Sequence, residues 1–154
     1  MKKYWLVKSE GDCYSIDDLE KDKQTSWSGV RNYQARNFMR DDMRPGDAVI
    51  FYHSSGVPTG IYGLAEVSSF SHVDETQFQA EDEHYDPSVS RQAPRWYCVD
   101  LRFKKKFSQP ITLEEIKRDA ELGDMLLCRR GNRLSVMPVE EKHFKKIITI
   151  AARR

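Results

Sequence analysis

Apolar positions recur along the chain in segments that predict five or six strands. These segments are YWLVK, AVIFYHS, IYGLAEVSSF, RWYCVDLRFKKKF and LSVMPV. They are rich in aromatic and β-branched residues, and turn signals such as RPGD at residues 44–47 separate them. Pro110 is expected to end the fourth strand. Gly60 and Gly63 are expected to allow a bulge or a close backbone approach in the third.

Three or four short helices are predicted from helical spacing and capping residues. Ser15, Asn32 and Thr112 each precede a helical pattern, and each side chain can accept a hydrogen bond from a first-turn N–H. A last helix covers EEKHFKKIITI. Scattered strands with irregular connections argue against βαβ units. We therefore predict an α+β fold, a mixed, mostly antiparallel small β-barrel with short helices packed around it, formed by residues 1–154 as a single domain.

Residues 71–94 differ from the rest of the chain. They contain the acidic run EDE at residues 81–83, followed by His84 and an Asp-Pro step, and they lack a periodic apolar pattern. We predict a long surface segment with one helical turn around residues 76–78. Because no His, Cys, Asp or Glu spacing here matches a known metal geometry, a solvated loop is favoured over a metal site.

Charge and cysteine content narrow the function classes. The 25 basic and 24 acidic residues give a formal net charge of +1, which argues against coating nucleic acid by bulk charge and leaves room for local basic patches. No apolar run approaches the roughly 20 residues that span a bilayer. The apolar stretch within MKKYWLVKSE is too short for a secretory signal. Cys13, Cys98 and Cys128 lie far apart, which fits free thiols. We expect a cytoplasmic monomer, in a bacterial cytosol or else a eukaryotic nucleus, with no cofactor, metal or membrane contact.

The segment SWSGVRNYQARNFMR, residues 26–40, has a composition suited to a binding surface. Trp27 lies among Ser26, Ser28 and Gly29, residues that favour a loop. Asn32 then begins a helix, whose N-terminus carries free N–H groups that suit a polar or anionic ligand. We predict that this segment forms one wall of a ligand pocket.

Eight sequence blocks occur in an order that resembles a known family. They are YWLVKSE, YSIDDL, WSGVRNYQARNFMR, RPGDAVIFYHS, GIYGLAEV, YDP, PRWYCVDLRF and RLSVMPV. Together they resemble the EVE domain of the PUA-like superfamily, in particular the thymocyte nuclear protein 1 family, over about residues 4–148. One departure is Gly11, where the family usually has proline. The resemblance implies a PUA-like pseudo-barrel and kinship with the YTH domain, which reads methylated adenine in RNA through an aromatic cage.

The resemblance also implies a non-enzymatic nucleic-acid-binding module that flips out a modified base, with modified cytosine in DNA favoured over RNA. Matching the blocks residue by residue implies two sets of contacts. The predicted pocket residues are Lys8, Ser9, Trp27, Val30, Asn32, Tyr52, His53, Ser54 and Ser135. The predicted phosphate contacts are Arg31, Arg36, Arg129, Arg130 and Arg133.

Elementary energetics agree with this interpretation. A base stacked on Trp27 gains about 1–3 kcal/mol, while extrusion from a duplex costs a few kcal/mol. Net affinity must therefore come from phosphate contacts, and it should depend steeply on salt.

Three alternatives remain open at this point. Trp27 is instead a core residue that covers one end of the barrel. The protein is an enzyme acting on a nucleoside or RNA through His53 and Glu10, although no nucleophile elbow, phosphate loop or metal motif accompanies this pair. Finally, residues 71–94 form a protein-interaction surface.

Overall fold

Six strands form one curved mixed sheet in the computed structural model, which describes residues 2–154. From one edge to the other they are β2 (Gln24–Ser26), β7 (Asp100–Thr112), β4 (Gly60–Val67), β3 (Ala48–Ser55), β1 (Tyr4–Glu10) and β8 (Val136–Val139). Strands β1 and β3 run parallel, and the other neighbouring pairs run antiparallel. The sheet curls into a half-barrel, which confirms the predicted fold class. Two further strands, β5 (His72–Val73) and β6 (Tyr97–Cys98), pair separately.

Short helices pack around this sheet. They are α1 (Ile16–Asp22), α2 (Tyr33–Asn37), α3 (Leu113–Arg118) and α4 (Glu141–Ala152). A π-helical turn, Phe38–Asp42, continues α2, and 3₁₀ turns occupy Glu75–Phe78 and Leu126–Cys128. None of the helices in residues 2–154 combines the length and the apolar composition that crossing a bilayer requires.

The three predicted helix caps are confirmed. Ser15 Oγ accepts a hydrogen bond from the Asp18 N–H at 3.1 Å, and Thr112 Oγ1 accepts one from the Glu115 N–H at 3.1 Å. Asn32 Oδ1 accepts a hydrogen bond from the Ala35 N–H at 2.9 Å. Each cap therefore satisfies one of the N–H groups that a helix start leaves free.

The core lies between the sheet and the helices. Leu6 of β1 and Phe51 of β3 are fully buried, and α1 contributes Ile16 and Leu19 to the same cluster. Burial of such apolar side chains provides the main favourable free energy of folding. The polar ends of β1 and β3 extend beyond this core.

The fourth predicted strand is corrected in two ways. Its first residues form β6 in the separate small sheet, and β7 continues through Pro110 instead of ending there. Ile61 of β4 pairs with Ile111, whereas Gly63 pairs with Lys106, so residues 107–110 bulge out of the ladder. Proline is tolerated at such a bulge because no ladder hydrogen bond needs its missing N–H. The expected close approach at Gly63 is confirmed, since an added Cβ would collide with the Lys105 carbonyl oxygen.

Residues 71–94 contain the predicted helical turn, but they are not simply a solvated loop. Asp74 and Gln77 are buried. The Gln77 amide donates to the Asp74 and Trp96 carbonyls at 2.8 Å, and its oxygen accepts from the Trp96 N–H at 3.0 Å. These side-chain hydrogen bonds fasten the segment to the body of the molecule. No cluster of three or more metal-ligating side chains occurs within residues 2–154.

Candidate ligand-binding site

A cavity of about 740 Å³ opens where β1 ends, between that strand, the loop before α2 and the segment of residues 71–94. Six of the nine predicted pocket residues line it, namely Lys8, Ser9, Trp27, Val30, Asn32 and Ser135. The cavity thus gathers residues from three distant parts of the chain. Its polar lining and its tryptophan ring suit a flat ligand with hydrogen-bonding edges.

Trp27 belongs both to the core and to the cavity. Only 9% of the residue is exposed, and its ring packs edge-on against Phe51 at 5.6 Å and Tyr14 at 6.1 Å between centroids. Its backbone N–H donates to the Val99 carbonyl at 2.9 Å. The two interpretations of Trp27 that the sequence left open are therefore compatible, because neighbouring aromatic rings hold the indole rigid while it still lines the cavity.

One wall of the cavity comes from strand ends, and we call Lys8, Ser9 and Ser135 the strand wall. The Lys8 N–H donates to the Ser135 carbonyl at 2.8 Å. Ser9 is buried, and its hydroxyl donates to the Tyr14 carbonyl. Burial lowers the pKa of Lys8 because the charged ammonium loses water. An anionic partner in the cavity would offset part of this desolvation.

The opposite wall comes from loops, and we call Gly29, Arg31 and His84 the loop wall. The Gly29 N–H donates to Asp74 Oδ2 at 2.8 Å, and Arg31 forms an ion pair with the same oxygen at 3.1 Å. Arg31 also donates twice to the His84 carbonyl, at 2.8 and 3.1 Å. Burial alone would raise the pKa of Asp74, but hydrogen bonds from Thr76, Gly29 and Arg31 outweigh it and hold that pKa below its ordinary value.

The expectation that Arg31 contacts phosphate is corrected by this network. Its guanidinium is committed to Asp74, Thr76 and the His84 carbonyl. Arg36 is likewise engaged, because it donates to the Arg95 carbonyl at 2.9 Å and to Asn37, and it does not line the cavity. Each N–H group of Arg31 therefore already has an acceptor. Arg36 keeps part of its donor capacity, since its guanidinium makes three hydrogen bonds.

The prediction that Tyr52, His53 and Ser54 line the pocket is wrong for this cavity. His53 is 6% exposed, its Nε2 accepts a hydrogen bond from the Ile16 N–H at 3.1 Å, and its ring stacks on Tyr62 at 3.8 Å. Burial lowers the His53 pKa, which suits a neutral ring that accepts this bond.

The two neighbours of His53 are also directed elsewhere. Tyr52 is buried, which raises its pKa to about 12, and the exposed Ser54 donates to the Ser9 carbonyl at 3.3 Å. The end of β3 therefore supports β1 and α1, whereas β1 itself reaches the cavity. Tyr52, His53 and Ser54 miss the cavity because, of the two paired strands β1 and β3, only β1 borders its opening.

The acid–base pair considered for an enzyme is not assembled. Glu10 accepts a hydrogen bond from the Cys13 thiol at 3.3 Å, while His53 Nε2 is occupied by the Ile16 N–H. The hydrogen bond that the Cys13 thiol donates to Glu10 is the main cause of the raised pKa of Cys13. Within residues 2–154 no hydrogen bond joins His53 to Glu10, so neither residue orients the other.

Arg129, Arg130 and Arg133 remain exposed beside the strand wall. They lie on the turn that precedes Ser135, and in the described part of the chain they form no side-chain ion pair. Their positive charge is therefore not neutralised locally.

Several cavity residues were not singled out as ligand contacts from the sequence, although Ser26, Ser28 and Gly29 lie in the segment predicted to form one wall. They are Glu10, Cys13, Tyr14, Thr25, Ser26, Ser28, Gly29, Glu83 and His84. Gly29 has φ 87° in the left-handed region, and the only sequence signal was its place in a Ser-rich turn. The positions of Glu83 and His84 follow from the folding of residues 71–94 onto the loop wall.

The curved mixed sheet forms a half-barrel with a few short helices, which is the class of fold seen in solved EVE domain structures. The model of the EVE domain matches residues 3–150, and the chain belongs to the EVE domain family. This confirms the resemblance seen in the sequence blocks.

Relatives and solved structures agree with the family assignment. The chain is similar to thymocyte nuclear protein 1 of Danio rerio, with 39% identity over 95% of this chain and 71% of that protein. A structure of a hypothetical protein from Leishmania major superposes with a TM-score of 0.95 and 40% identity, covering 99% of this chain and 96% of the other. Human THYN1 protein, solved in complex with DNA containing 5-methylcytosine, superposes with a TM-score of 0.91 and 34% identity over 99% of each chain.

Proposed function

We propose that this protein is a non-enzymatic module that binds DNA by accepting a modified cytosine, with 5-methylcytosine the first candidate, into the cavity beside Trp27. The observation that carries the proposal is the rigid indole in a cavity of about 740 Å³, a size within the range of about 300–1,000 Å³ typical of small-ligand pockets. The similarity to human THYN1 protein, which was solved with DNA containing 5-methylcytosine, supports the choice of base.

The cavity offers the two kinds of contact that a flipped base needs. Trp27 provides an apolar face, and stacking on such a ring contributes about 1–3 kcal/mol per base. Asn32 is exposed, and because its side-chain oxygen already caps α2, its NH₂ group is left to donate to a ligand. Helix capping and ligand contact are therefore compatible roles for one side chain.

Phosphate contacts are assigned to the basic turn beside the strand wall. Arg129, Arg130 and Arg133 are exposed there, and the half-buried Lys8 lies inside the cavity. Extrusion of a base costs a few kcal/mol, which roughly cancels the gain from one stack. Affinity should therefore come largely from these cations and should fall as salt rises.

The decisive experiment measures affinity for duplexes that differ at one base. Fluorescence anisotropy would compare a central 5-methylcytosine with cytosine, at two salt concentrations, for the wild type, Trp27→Ala and Trp27→Phe. We expect preference for the modified duplex, a loss of about tenfold or more in Trp27→Ala, and partial retention in Trp27→Phe, whose ring still stacks. Phe70→Ala is a matched control, because Phe70 is an exposed aromatic residue outside the cavity.

Two results would contradict the proposal. One is equal affinity of the wild type for modified and unmodified duplexes. The other is unchanged binding by Trp27→Ala when circular dichroism shows that this variant is folded. Turnover of the oligonucleotide that His53→Ala abolishes would instead support the enzyme alternative, and mass spectrometry of the products tests for it.

We also propose that residues 1–154 act as one domain and bind DNA as a monomer without a cofactor. The EVE domain match over residues 3–150 supports a single unit. Sedimentation of the protein with one modified duplex should give a one-to-one complex. A two-to-one complex at low protein concentration would contradict the monomer.

A further inference from the structure

We propose that His84 is a specificity-determining residue of the cavity. It favours a base that carries an exocyclic amino group over a base that carries a carbonyl in place of that amino group. Cytosine and 5-methylcytosine carry the amino group, and thymine carries the carbonyl. The inference rests on the proposed function, because it assumes that a base enters the cavity. It adds the residue that reads one edge of that base.

The His84 ring lies directly against the backbone of Gly29. A Cβ added at Gly29 would come within 2.8 to 3.0 Å of Cε1, Nε2 and Nδ1 of the imidazole. Contacts this short essentially never occur, so the ring occupies the space that a side chain at residue 29 would fill. The absence of a side chain at residue 29 thus allows His84 to form part of the cavity wall.

The backbone of His84 is fixed from the other side. Arg31 donates to the His84 carbonyl through Nε at 3.1 Å and through Nη2 at 2.8 Å. The same guanidinium forms an ion pair with Asp74, whose side chain is 1% exposed. Asp74 also accepts the Gly29 N–H at 2.8 Å, so one buried carboxylate orients both the surface beneath the ring and the arginine that holds the chain.

This arrangement keeps His84 in place before a ligand arrives. Its side chain is 37% exposed, yet its backbone and one ring face are constrained. A contact that is already ordered costs less conformational entropy on binding, which favours affinity and selectivity. Arg31 and Asp74 are therefore positioning residues for His84.

The hydrogen bonds of the ring indicate what it offers to a ligand. His84 Nδ1 lies 3.0 Å from Asp82 Oδ1, a distance and a partner that suit a proton on Nδ1. In the neutral imidazole Nε2 then presents a lone pair. The distance from Nε2 to the Glu83 carboxylate oxygen Oε1 is 3.7 Å, which is beyond hydrogen-bonding distance.

Glu83 lines the same side of the cavity, and the N–H groups of Arg31 on that side already have acceptors, so this side leaves acceptors for a ligand. The amino group of 5-methylcytosine can donate to them, whereas the carbonyl of thymine would meet only other acceptors. The two bases share the 5-methyl group, so an apolar contact with that methyl cannot separate them. Discrimination between them would therefore fall on His84 and Glu83.

The test uses single-stranded oligonucleotides with one central 5-methylcytosine or thymine, so that no duplex extrusion cost enters the comparison. Kd values would be measured for the wild type, His84→Ala, His84→Gln and Glu81→Gln. Glu81 is a matched control because it belongs to the same acidic run, is exposed and does not line the cavity.

We expect the wild type to bind 5-methylcytosine about tenfold more tightly than thymine, the size of effect that one well-placed base-edge contact provides. In His84→Ala this ratio should fall to about threefold or less. In His84→Gln, whose side-chain oxygen can accept, part of the ratio should return. Glu81→Gln should keep the wild-type ratio.

The outcomes separate this inference from the proposed function. A wild type that binds both bases equally, or a folded His84→Ala variant with the wild-type ratio, overturns the role of His84 even if Trp27→Ala loses binding. If the wild type has no preference for any modified base over its unmodified counterpart, the proposed function fails, whereas the ratio between 5-methylcytosine and thymine still tests His84. A reduced ratio in His84→Ala with retention in Glu81→Gln supports the inference.

Discussion

The strand wall and the loop wall of the cavity are built in different ways. Lys8 and Ser9 lie in β1, which pairs with β3 on one side and with β8 on the other. Many backbone hydrogen bonds therefore determine where the strand wall sits. The loop wall depends on side chains instead, because the single carboxylate of Asp74 accepts hydrogen bonds from both the Gly29 backbone and the Arg31 guanidinium.

The difference extends to charge. The strand wall is bordered by Arg129, Arg130 and Arg133, whereas the loop wall is bordered by the acidic run of residues 81–83. A phosphate backbone should therefore pass the strand wall, and the loop wall should face the base edge. A single substitution should disturb the loop wall more than the strand wall, since fewer interactions determine its position.

The largest effect is expected from Asp74→Ala. This change leaves the Arg31 charge and the Gly29 and Thr76 N–H groups without their acceptor in a buried site. We expect the free energy of unfolding to fall by about 3–5 kcal/mol, the usual result of removing one partner of a buried ion pair. Urea denaturation followed by tryptophan fluorescence measures it.

Glu81→Ala serves as the control for that experiment, because this exposed carboxylate should change stability by less than about 0.5 kcal/mol. If Asp74→Ala lost no more than Glu81→Ala, the loop wall would not depend on the buried carboxylate.

A smaller effect is expected at the strand wall from Arg133→Ala. Loss of one phosphate contact should weaken binding to all sequences alike and reduce the slope of log K against log salt by about 0.9. The preference for 5-methylcytosine should remain. Lys105→Ala, an exposed cation on β7 away from the cavity, should leave the slope unchanged. A changed base preference with an unchanged slope would place Arg133 at the base edge.

The third effect is a loss of stabilisation that appears only in acid. It concerns Asp86, which lies in the same segment of residues 71–94 as His84. Hydrogen bonds from Ser88 and Trp96 lower the pKa of Asp86 to about 2. Because the folded-state pKa lies below the ordinary value, the stabilisation is present above about pH 4 and is lost as the pH falls through about 2. The indole N–H of Trp96 donates to Asp86 at 2.8 Å, so its NMR signal should titrate with a midpoint near 2.

Asp86→Asn removes the titrating group, and the Trp96 indole signal should then stay constant across the same acid range. A midpoint near 4 in the wild type would show that these hydrogen bonds do not hold the carboxylate ionised.

The smallest effect is expected from Ser54→Ala. The Ser54 hydroxyl is exposed, donates to the Ser9 carbonyl at 3.3 Å and does not line the cavity. DNA affinity should change by less than about twofold, and the free energy of unfolding by less than about 0.5 kcal/mol. A large loss of affinity, measured by anisotropy, would return the end of β3 to the binding site.

Much of the strand wall could be predicted from sequence. The blocks YWLVKSE and RLSVMPV indicated strands that end at Lys8 and Ser9 and that begin near Ser135. The FYHS block misled, because a strand's polar end does not reveal which neighbour borders an opening. His53 is polar because it accepts the Ile16 N–H at the start of α1, a bond between residues 37 positions apart.

The loop wall was largely beyond prediction. Arg31 lies in a block rich in arginine, which suggested phosphate binding, and nothing nearby in sequence indicated Asp74 as its partner. The run at residues 81–83 suggested a solvated loop, although Glu83 and His84 line the cavity.

By itself the sequence determined most of the long strands, the caps at Ser15, Asn32 and Thr112, the tryptophan loop and the family. These features follow from periodicity and from hydrogen bonds between residues three positions apart, which act locally. The tertiary structure decided which polar side chains face the cavity. Arg31 reaches Asp74 across 43 positions and His84 across 53, and such contacts exist only once the sheet has brought the loops together.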